Sequence, residues 1–246
     1  MDPLGLLYAA IGMLVYPGGV YLTGLAGVSA WTAGLPRGPA SIRAEAWAAI
    51  IAAVLAAVLA PMAGSPVAAL PPDRGVAPNL VAAAMLLAAA CALATHQRWS
   101  TRRLAAALGL GVPWLALAVG AASIQLPVIA GVPGTTLAAA RWCTAAATLI
   151  AAPLVTQPFD AGVALGPRAV MLGALMLMAL SIALAGTVTS GSAPLEALVV
   201  IAAGALYALL LRLLQRAVVV EHAALVVSCL ACAGAATLLA LLAARG

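Results

Sequence analysis

The chain carries few side chains that could do chemistry, and they lie in short polar stretches between long apolar ones. One such stretch, residues 155–160 (VTQPFD), holds the single Phe of the chain, Phe159, and one of its six acids, Asp160. Pro158 lacks an N–H and its ring clashes with the preceding helical turn. We therefore expect a helix to end near Val155 and a polar loop to follow. Taken alone, the stretch is typical of a helix-stop loop with one solvated carboxylate.

A charge inside an apolar segment is the usual sign of function in a membrane protein, and Arg141 is the best candidate for one. It lies near one end of an apolar segment, where its long side chain can reach the interface or pair with an acid of a partner subunit. No Asp, Glu, His or Lys lies near the middle of an apolar segment. That pattern argues against a proton or ion relay within this chain alone.

The four Cys and two His do not have the spacing of a metal site. All four Cys lie in apolar segments, where small buried side chains pack well: Cys91, Cys143, Cys229 and Cys232. The two His are single and far apart in the chain. The sequence also shows no paired carboxylates, nucleophile triad or phosphate-binding loop, so we expect no catalytic residues and no metal in this chain.

The composition places these residues in a polytopic, all-α membrane protein. The chain is 66% hydrophobic and 7% charged, whereas soluble domains carry about 25% charged residues. Its net charge of +5 comes from eleven Arg and no Lys. Without a basic and aromatic patch, this excess does not indicate a nucleic-acid partner. The Arg-only, Ala-rich usage is typical of a high-GC bacterial source.

Eight segments are long and apolar enough to be read as membrane helices. They are residues 4–30, 46–60, 79–94, 104–128, 135–154, 169–187, 195–214 and 223–244. The loops between them are short, so residues 1–246 form a single integral membrane domain. The chain begins Met-Asp-Pro, without the basic region of a cleaved signal, and we expect the first segment to be retained.

The Arg residues predict how these segments are oriented. Eight of the eleven lie in the four loops that follow odd-numbered segments: Arg37, Arg43, Arg98, Arg102, Arg103, Arg168, Arg212 and Arg216. Because cytoplasmic loops carry the excess of Lys and Arg, these loops are expected in the cytoplasm. Both termini are then outside, and the protein is a multi-pass protein of the bacterial cytoplasmic (inner) membrane.

Four stretches, in this order, carry a resemblance to a known family. They are residues 35–39 (LPRGP), Ala60-Pro61 with Asn79-Leu80, residues 100–107 (STRRLAAA) with Val112-Pro113, and residues 156–160 (TQPFD). Together they resemble the H subunit of bacterial respiratory complex I, which is subunit 1 of the mitochondrial enzyme. They also resemble its relatives in membrane-bound hydrogenases and formate hydrogenlyase. The family has eight spans and an outside N-terminus.

The resemblance implies a subunit that anchors a hydrophilic electron-transfer arm on the membrane. In that family the cytoplasmic loops build part of a quinone chamber, from which an acid-rich funnel leads to proton-translocating, antiporter-like subunits. Here Gly111 stands where the family has Glu, and the apolar residues 161–165 replace an acidic stretch. The scaffold therefore resembles the family while its acid relay does not, which indicates a divergent anchor.

By this resemblance, the chain is a non-catalytic subunit of an oxidoreductase complex. It binds no cofactor itself, and iron–sulphur clusters and a quinone belong to the assembly. Its partners are antiporter-like membrane subunits and a cytoplasmic iron–sulphur or hydrogenase-like arm. The candidate docking and quinone-chamber residues are Arg37, Arg98, Arg102, Arg103, Pro158, Phe159, Asp160 and Arg168.

Two other functions fit the same residues. A free-standing transporter or permease for a small neutral or lipophilic molecule needs no buried charge, and Pro17-Gly18-Gly19 or Pro61 could break helices that line a path. A lipid-handling membrane enzyme is the third interpretation, although the sequence offers no acidic metal motif for it.

Overall fold

The computed structural model describes residues 24–28, 47–48, 50–52, 54–55, 85–86, 89, 101–125, 128–129, 132–156, 165–184, 193–217 and 222–245. This part of the chain is largely helical. Five helices have defined bounds: α1 (Thr101–Gly120), α2 (Thr135–Thr156), α3 (Leu165–Ala183), α4 (Ala193–Ala217) and α5 (His222–Ala243). The described residues thus confirm the expected all-α character.

The last four predicted segments correspond to α2, α3, α4 and α5. Their predicted ends differ from the ends of these helices by about one turn or less. The helix α2 ends at Thr156, two residues before Pro158 and close to the predicted end at Val155. Helical residues also occur inside the first three predicted segments, at 24–28, 47–55 and 85–89 with gaps. The other residues of those three segments, and with them the count of eight, lie outside the described residues.

The fourth predicted segment was wrong at its C-terminal end, because α1 stops at Gly120 and not at residue 128. The helix closes with two backbone bonds, from Ser123 N–H to Ala118 O (3.0 Å) and from Ala122 N–H to Val119 O (3.1 Å). Ala122, whose N–H donates the second of these bonds, has a positive φ of 47°. This is the Schellman geometry, which usually has Gly at the left-handed position. An Ala there leaves no sequence signal for the helix end.

Helices α1 and α5 run side by side in the same direction. A Cβ added at Gly109 would collide with Cys229 Sγ, and one added at Gly120 would lie 2.6 Å from Ala240 O. The residue numbers rise in the same direction along both helices, from Gly109 with Cys229 to Gly120 with Ala240, so the helices are parallel. The absence of a side chain makes room for the Cys229 thiol at Gly109 and lets the two backbones approach closely at Gly120, as in many membrane helix pairs.

Helix α2 packs against both of them. A Cβ added at Gly109 of α1 would lie near both Ala151 and Ala147 of α2, and Trp114, further along α1, bonds to Thr148. These contacts, with the connection of residues 121–134 between the two helices, favour an antiparallel arrangement. The N-terminal ends of α1 and α5 therefore lie at the same end of the bundle as the C-terminal end of α2.

Helix α3 is the most deeply buried element of the described part. Every residue from 171 to 183 is buried. It packs against α2 and α4, and residues 24–28 approach it so closely that a Cβ at Gly173 would lie 2.9 Å from Ala26 N. The mean hydropathy of α3 is high, and its sequence has no polar face that could meet water.

Helices α1, α4 and α5 expose broad apolar faces. On α1, the exposed residues are Leu108, Leu115 and Val119 with Val112, a single stripe at helical spacing. On α5, only 22% of the apolar stretch Ala223–Ala243 is buried. That stretch and Thr135–Leu154 of α2 are long and apolar enough to cross a membrane. Exposed apolar patches of this kind mark surfaces that meet lipid or another protein, so the described part favours association with a membrane.

The contact between α1 and α5 gives a first prediction. The substitution Gly120→Ala places a methyl group against backbone atoms of α5, which cannot rotate away. Overpacking of this kind costs about 1–3 kcal/mol. We therefore expect a lower midpoint when thermal unfolding in detergent is followed by circular dichroism.

Gly111→Ala is the matched control on the same helix, since nothing lies within 4 Å of a Cβ at that position. Its midpoint should stay the same or rise, because Ala stabilises a helix relative to Gly by up to about 1 kcal/mol. Equal midpoints for the two variants would show that α1 and α5 are not in backbone contact.

Candidate functional site

The helix bundle gathers several predicted docking positions at one end. Arg102 and Arg103 lie in the first turn of α1. The C-terminal end of α2 lies at the same end of the bundle, and residues 157–164 leave from it. That connection contains the Pro-Phe-Asp motif and leads into the first turn of α3, which holds Arg168.

The side chains of these positions are not part of the described structure. For Arg102, Arg103 and Arg168 only the place in a helix is described. The remaining candidates lie outside the described residues: Arg37, Arg98, Pro158, Phe159 and Asp160. Their proposed roles stay predictions, and what the structure adds is the shared end of the bundle.

Arg141 lies at the other end. It is the seventh residue of α2, about 9 Å along the helix axis from Thr135. Its side chain is partly buried and takes part in an interaction within the chain. The neighbouring Trp142 is 53% exposed, as expected for an aromatic ring near a membrane interface. Arg141 is therefore close to a helix end and far from the candidate docking end.

A buried hydroxyl network joins α1 to α2. The Trp114 indole Nε1–H donates to Thr148 Oγ1 at 3.1 Å, and both side chains are fully buried. The Thr148 hydroxyl donates to Thr144 O at 2.9 Å, and the Thr144 hydroxyl donates to Ala140 O at 2.8 Å. Sequence analysis missed this network, although two Thr four residues apart in an apolar helix share a face.

A second polar contact lies where Pro153 interrupts α2. The Tyr207 hydroxyl of α4 donates a hydrogen bond to Leu149 O of α2. Leu149 is four residues before Pro153, so its carbonyl is the one that Pro153 leaves without a helical N–H. The proline was visible in the sequence, but its partner is 58 residues away.

Of the three described cysteines, Cys229 packs between helices. Cys229 is fully buried, and its thiol lies 3.7 Å from both Ala105 O and Ala147 O. Cys143 and Cys232 are partly exposed, and these three are free thiols. Within the described ranges, no group of three or more His, Cys, Asp or Glu could hold a metal ion.

The polar groups of the described bundle thus act on packing. Their hydroxyls and the Cys229 thiol lie against backbone carbonyls, and an open depression among the described residues is mostly apolar. It lies at the C-terminal end of α1, opposite the docking end, and its lining residues are Ala118, Val119, Ala122, Ser123, Ile124 and Gln125. The described hydroxyl and thiol contacts link neighbouring helices or successive turns of one helix.

The hydroxyl network generates a second prediction. Thr148→Val removes the acceptor of the Trp114 indole and leaves its N–H unpaired in an apolar interior. We expect a loss of about 1 kcal/mol in stability, the size of a net buried or interhelical hydrogen bond. The free energy of unfolding in mixed detergent micelles, followed by Trp fluorescence, measures it.

Thr144→Val is the matched control, one turn away on the same helix. Its hydroxyl bonds only to Ala140 O among the described groups, and that carbonyl also accepts a helical N–H. The loss of stability in Thr144→Val should therefore be smaller than the loss in Thr148→Val. Equal losses for both variants would show that the Trp114–Thr148 bond does not join the helices.

Comparison with known proteins assigns no family to the chain. Scans against family models, curated proteins and solved structures each find no match. The function must therefore be argued from the residues and the geometry of the chain itself.

Proposed function

We propose that the chain is the membrane-anchor subunit of a complex I-related redox assembly. One end of its helix bundle would dock a cytoplasmic iron–sulphur or hydrogenase-like arm. The observation that carries this proposal is that two helix ends with candidate docking residues lie at the same end of the bundle. The first turn of α1, with Arg102 and Arg103, and the end of α2 that leads to the Pro-Phe-Asp motif lie at the same end. The motifs that resemble the family would thus face one partner.

The relative directions of the helices support the alternation of the predicted spans. If each predicted segment crosses once, the fourth and eighth must be parallel and the fifth antiparallel to both. These segments correspond to α1, α5 and α2, whose contacts have these directions. In our proposal, eight segments cross the bacterial cytoplasmic membrane, both termini are outside, and the Arg-bearing end is cytoplasmic.

The position of the Arg residues supports a partner outside the helices. Arg102, Arg103 and Arg168 lie in first turns, and neither α1 nor α3 has an acid there. A cation near a helix N-terminus is unfavourable for the helix itself, because it meets the positive end of the macrodipole. Carboxylates of a docked protein would offset this unfavourable interaction, since the guanidinium pairs with a carboxylate through two hydrogen bonds.

In this assembly the chain supplies an anchor and a docking surface, and its partners supply the redox chemistry. The iron–sulphur clusters would belong to the docked arm, and antiporter-like membrane subunits would pack against the exposed apolar faces. The docking loops, with Arg37, Arg98, Pro158, Phe159 and Asp160, would border a quinone chamber. The chain itself would be non-catalytic.

The docking proposal generates a third prediction. In the double variant Arg102→Glu/Arg103→Glu, carboxylates would face the carboxylates of the arm. We expect the tagged chain, purified in mild detergent, to lose its iron-containing partners while the chain remains inserted. Iron analysis and mass spectrometry of the purified material measure the loss, and membrane fractionation measures the insertion.

Arg245→Glu is the control at the opposite end, where Arg245 is exposed just after α5. It is compared with the single variant Arg103→Glu, which makes the same change of charge at the docking end. Arg245→Glu should retain all partners. An intact, iron-containing complex from the double variant would contradict docking through these Arg residues. A wild-type chain that purifies alone and without iron would favour the transporter and would refute the anchor.

A further inference from the structure

Three free thiols cluster where α2 and α5 meet. Cys143 belongs to α2, and Cys229 and Cys232 belong to α5. Cys232 is close enough to interact electrostatically with both of the others, although α3 and α4 separate it from Cys143 in the chain. Cys143 and Cys232 are partly exposed, so a reagent can reach them, whereas Cys229 is fully buried.

The contacts of Cys229 indicate how the other two thiols are placed. Its thiol lies 3.7 Å from Ala147 O, and the helix contacts favour opposite directions for α2 and α5. One turn further along α5 lies Cys232, on the same face as Cys229. One turn back along α2 from Ala147 lies Cys143, also on the same face. Cys143 and Cys232 therefore lie opposite each other across the interface.

The sequence around the pair allows the two helices to approach closely. A disulfide needs Cα atoms about 4.4–6.8 Å apart. Small side chains at an interface let membrane helices pack at short distances. Buried alanines lie within about one turn of each thiol: Ala140 and Ala147 on α2, and Ala233 and Ala236 on α5. The pair is thus placed where a bond between its two sulphurs is feasible.

The pair lies well inside the apolar helices. Cys143 is eight residues, about 12 Å of helix, from Thr135, and Cys232 is eleven residues, about 17 Å, from Ala243. Helices α1, α2 and α5 contain no Asp or Glu, so none of them offers a carboxylate that could accept a thiol proton. An oxidant for this pair must therefore dissolve in lipid and take up protons together with electrons. A quinone meets both conditions.

We propose that Cys143 and Cys232 form a redox site, which a lipid-soluble quinone oxidises to a disulfide that joins α2 to α5. Both S–H bonds break and one S–S bond forms. The two electrons and two protons pass to the quinone, which takes the protons on its carbonyl oxygens and leaves as the hydroquinone. The site is separate from the candidate docking residues and does not depend on the proposed function.

Oxidation of the full-length chain in lipid vesicles tests this proposal. The probe is decylubiquinone, added in the absence of oxygen, and the remaining free thiols are blocked with a maleimide before digestion. Mass spectrometry should find the peptides of Cys143 and Cys232 joined by a disulfide, and absorbance should show one hydroquinone per disulfide. The hydrophilic oxidant glutathione disulfide should leave both thiols free, because it does not enter the lipid.

Single substitutions assign the reaction to the pair. Cys143→Ala and Cys232→Ala should each abolish both the disulfide and the hydroquinone. Cys229→Ala is the matched control, because the Cys229 thiol is held between Ala105 O and Ala147 O and takes no part in the reaction. This variant should form the same disulfide as the wild type.

A disulfide that contains Cys91 or Cys229 in the wild-type chain would overturn the proposal. Equal oxidation by glutathione disulfide would overturn it too, because the pair would then be open to water. Copper phenanthroline, which oxidises neighbouring thiols within lipid, distinguishes two further failures. A disulfide with this reagent and none with the quinone would show a close pair that quinones do not oxidise. No disulfide with either reagent would show that the two thiols do not face each other, and both results refute the site.

Discussion

The close approach of α5 to α1 and α2 is the contact on which the rest of the described bundle depends. Gly109 and Gly120 carry no side chain where Cys229 and the backbone at Ala240 press against α1. Their spacing fixes α1 and α5 as parallel, and the same region of α1 meets α2 in the opposite direction. These directions decide which helix ends share one end of the bundle. The argument for a docking surface follows from them.

The proposed lipid environment would explain how the polar groups of the bundle are used. Where water is absent, each polar group must find its partner within the protein. The Trp114 indole bonds to Thr148, and the Thr148 hydroxyl bonds in turn to a carbonyl of its own helix. The carbonyl freed by Pro153 accepts from Tyr207. The outer faces of α1, α4 and α5 are meanwhile apolar and exposed, as a surface that meets lipid would be.

The sequence predicted the C-terminal helices well, because an apolar run of membrane-spanning length is a strong signal. It failed at the end of α1, where Ala122 adopts a conformation that normally calls for Gly. It also could not pair Tyr207 with the break at Pro153, because nothing local links residues so far apart. The packing of helices decides such contacts, and hydrophobic length does not encode it.

The candidate docking residues were chosen from loop charge and from short motifs. The contacts place the first turn of α1 and the C-terminal end of α2 at the same end of the bundle, as the alternation of predicted spans implies. It does not describe the side chains of Arg102, Arg103 or Arg168, and the Pro-Phe-Asp motif lies outside the described residues. Their chemistry therefore stays a proposal, and the arrangement of the helix ends is inferred from the contacts between the helices.

The most direct test of the central claim is to label the two ends of the bundle from the two sides of the membrane. Single variants Asp160→Cys and Arg245→Cys would be treated with a membrane-impermeant maleimide in spheroplasts and in inverted vesicles, with the wild-type chain as background. The account predicts that Asp160→Cys reacts only in inverted vesicles and Arg245→Cys only in spheroplasts. Labelling of both from the same side would contradict a membrane-crossing bundle with one cytoplasmic docking end.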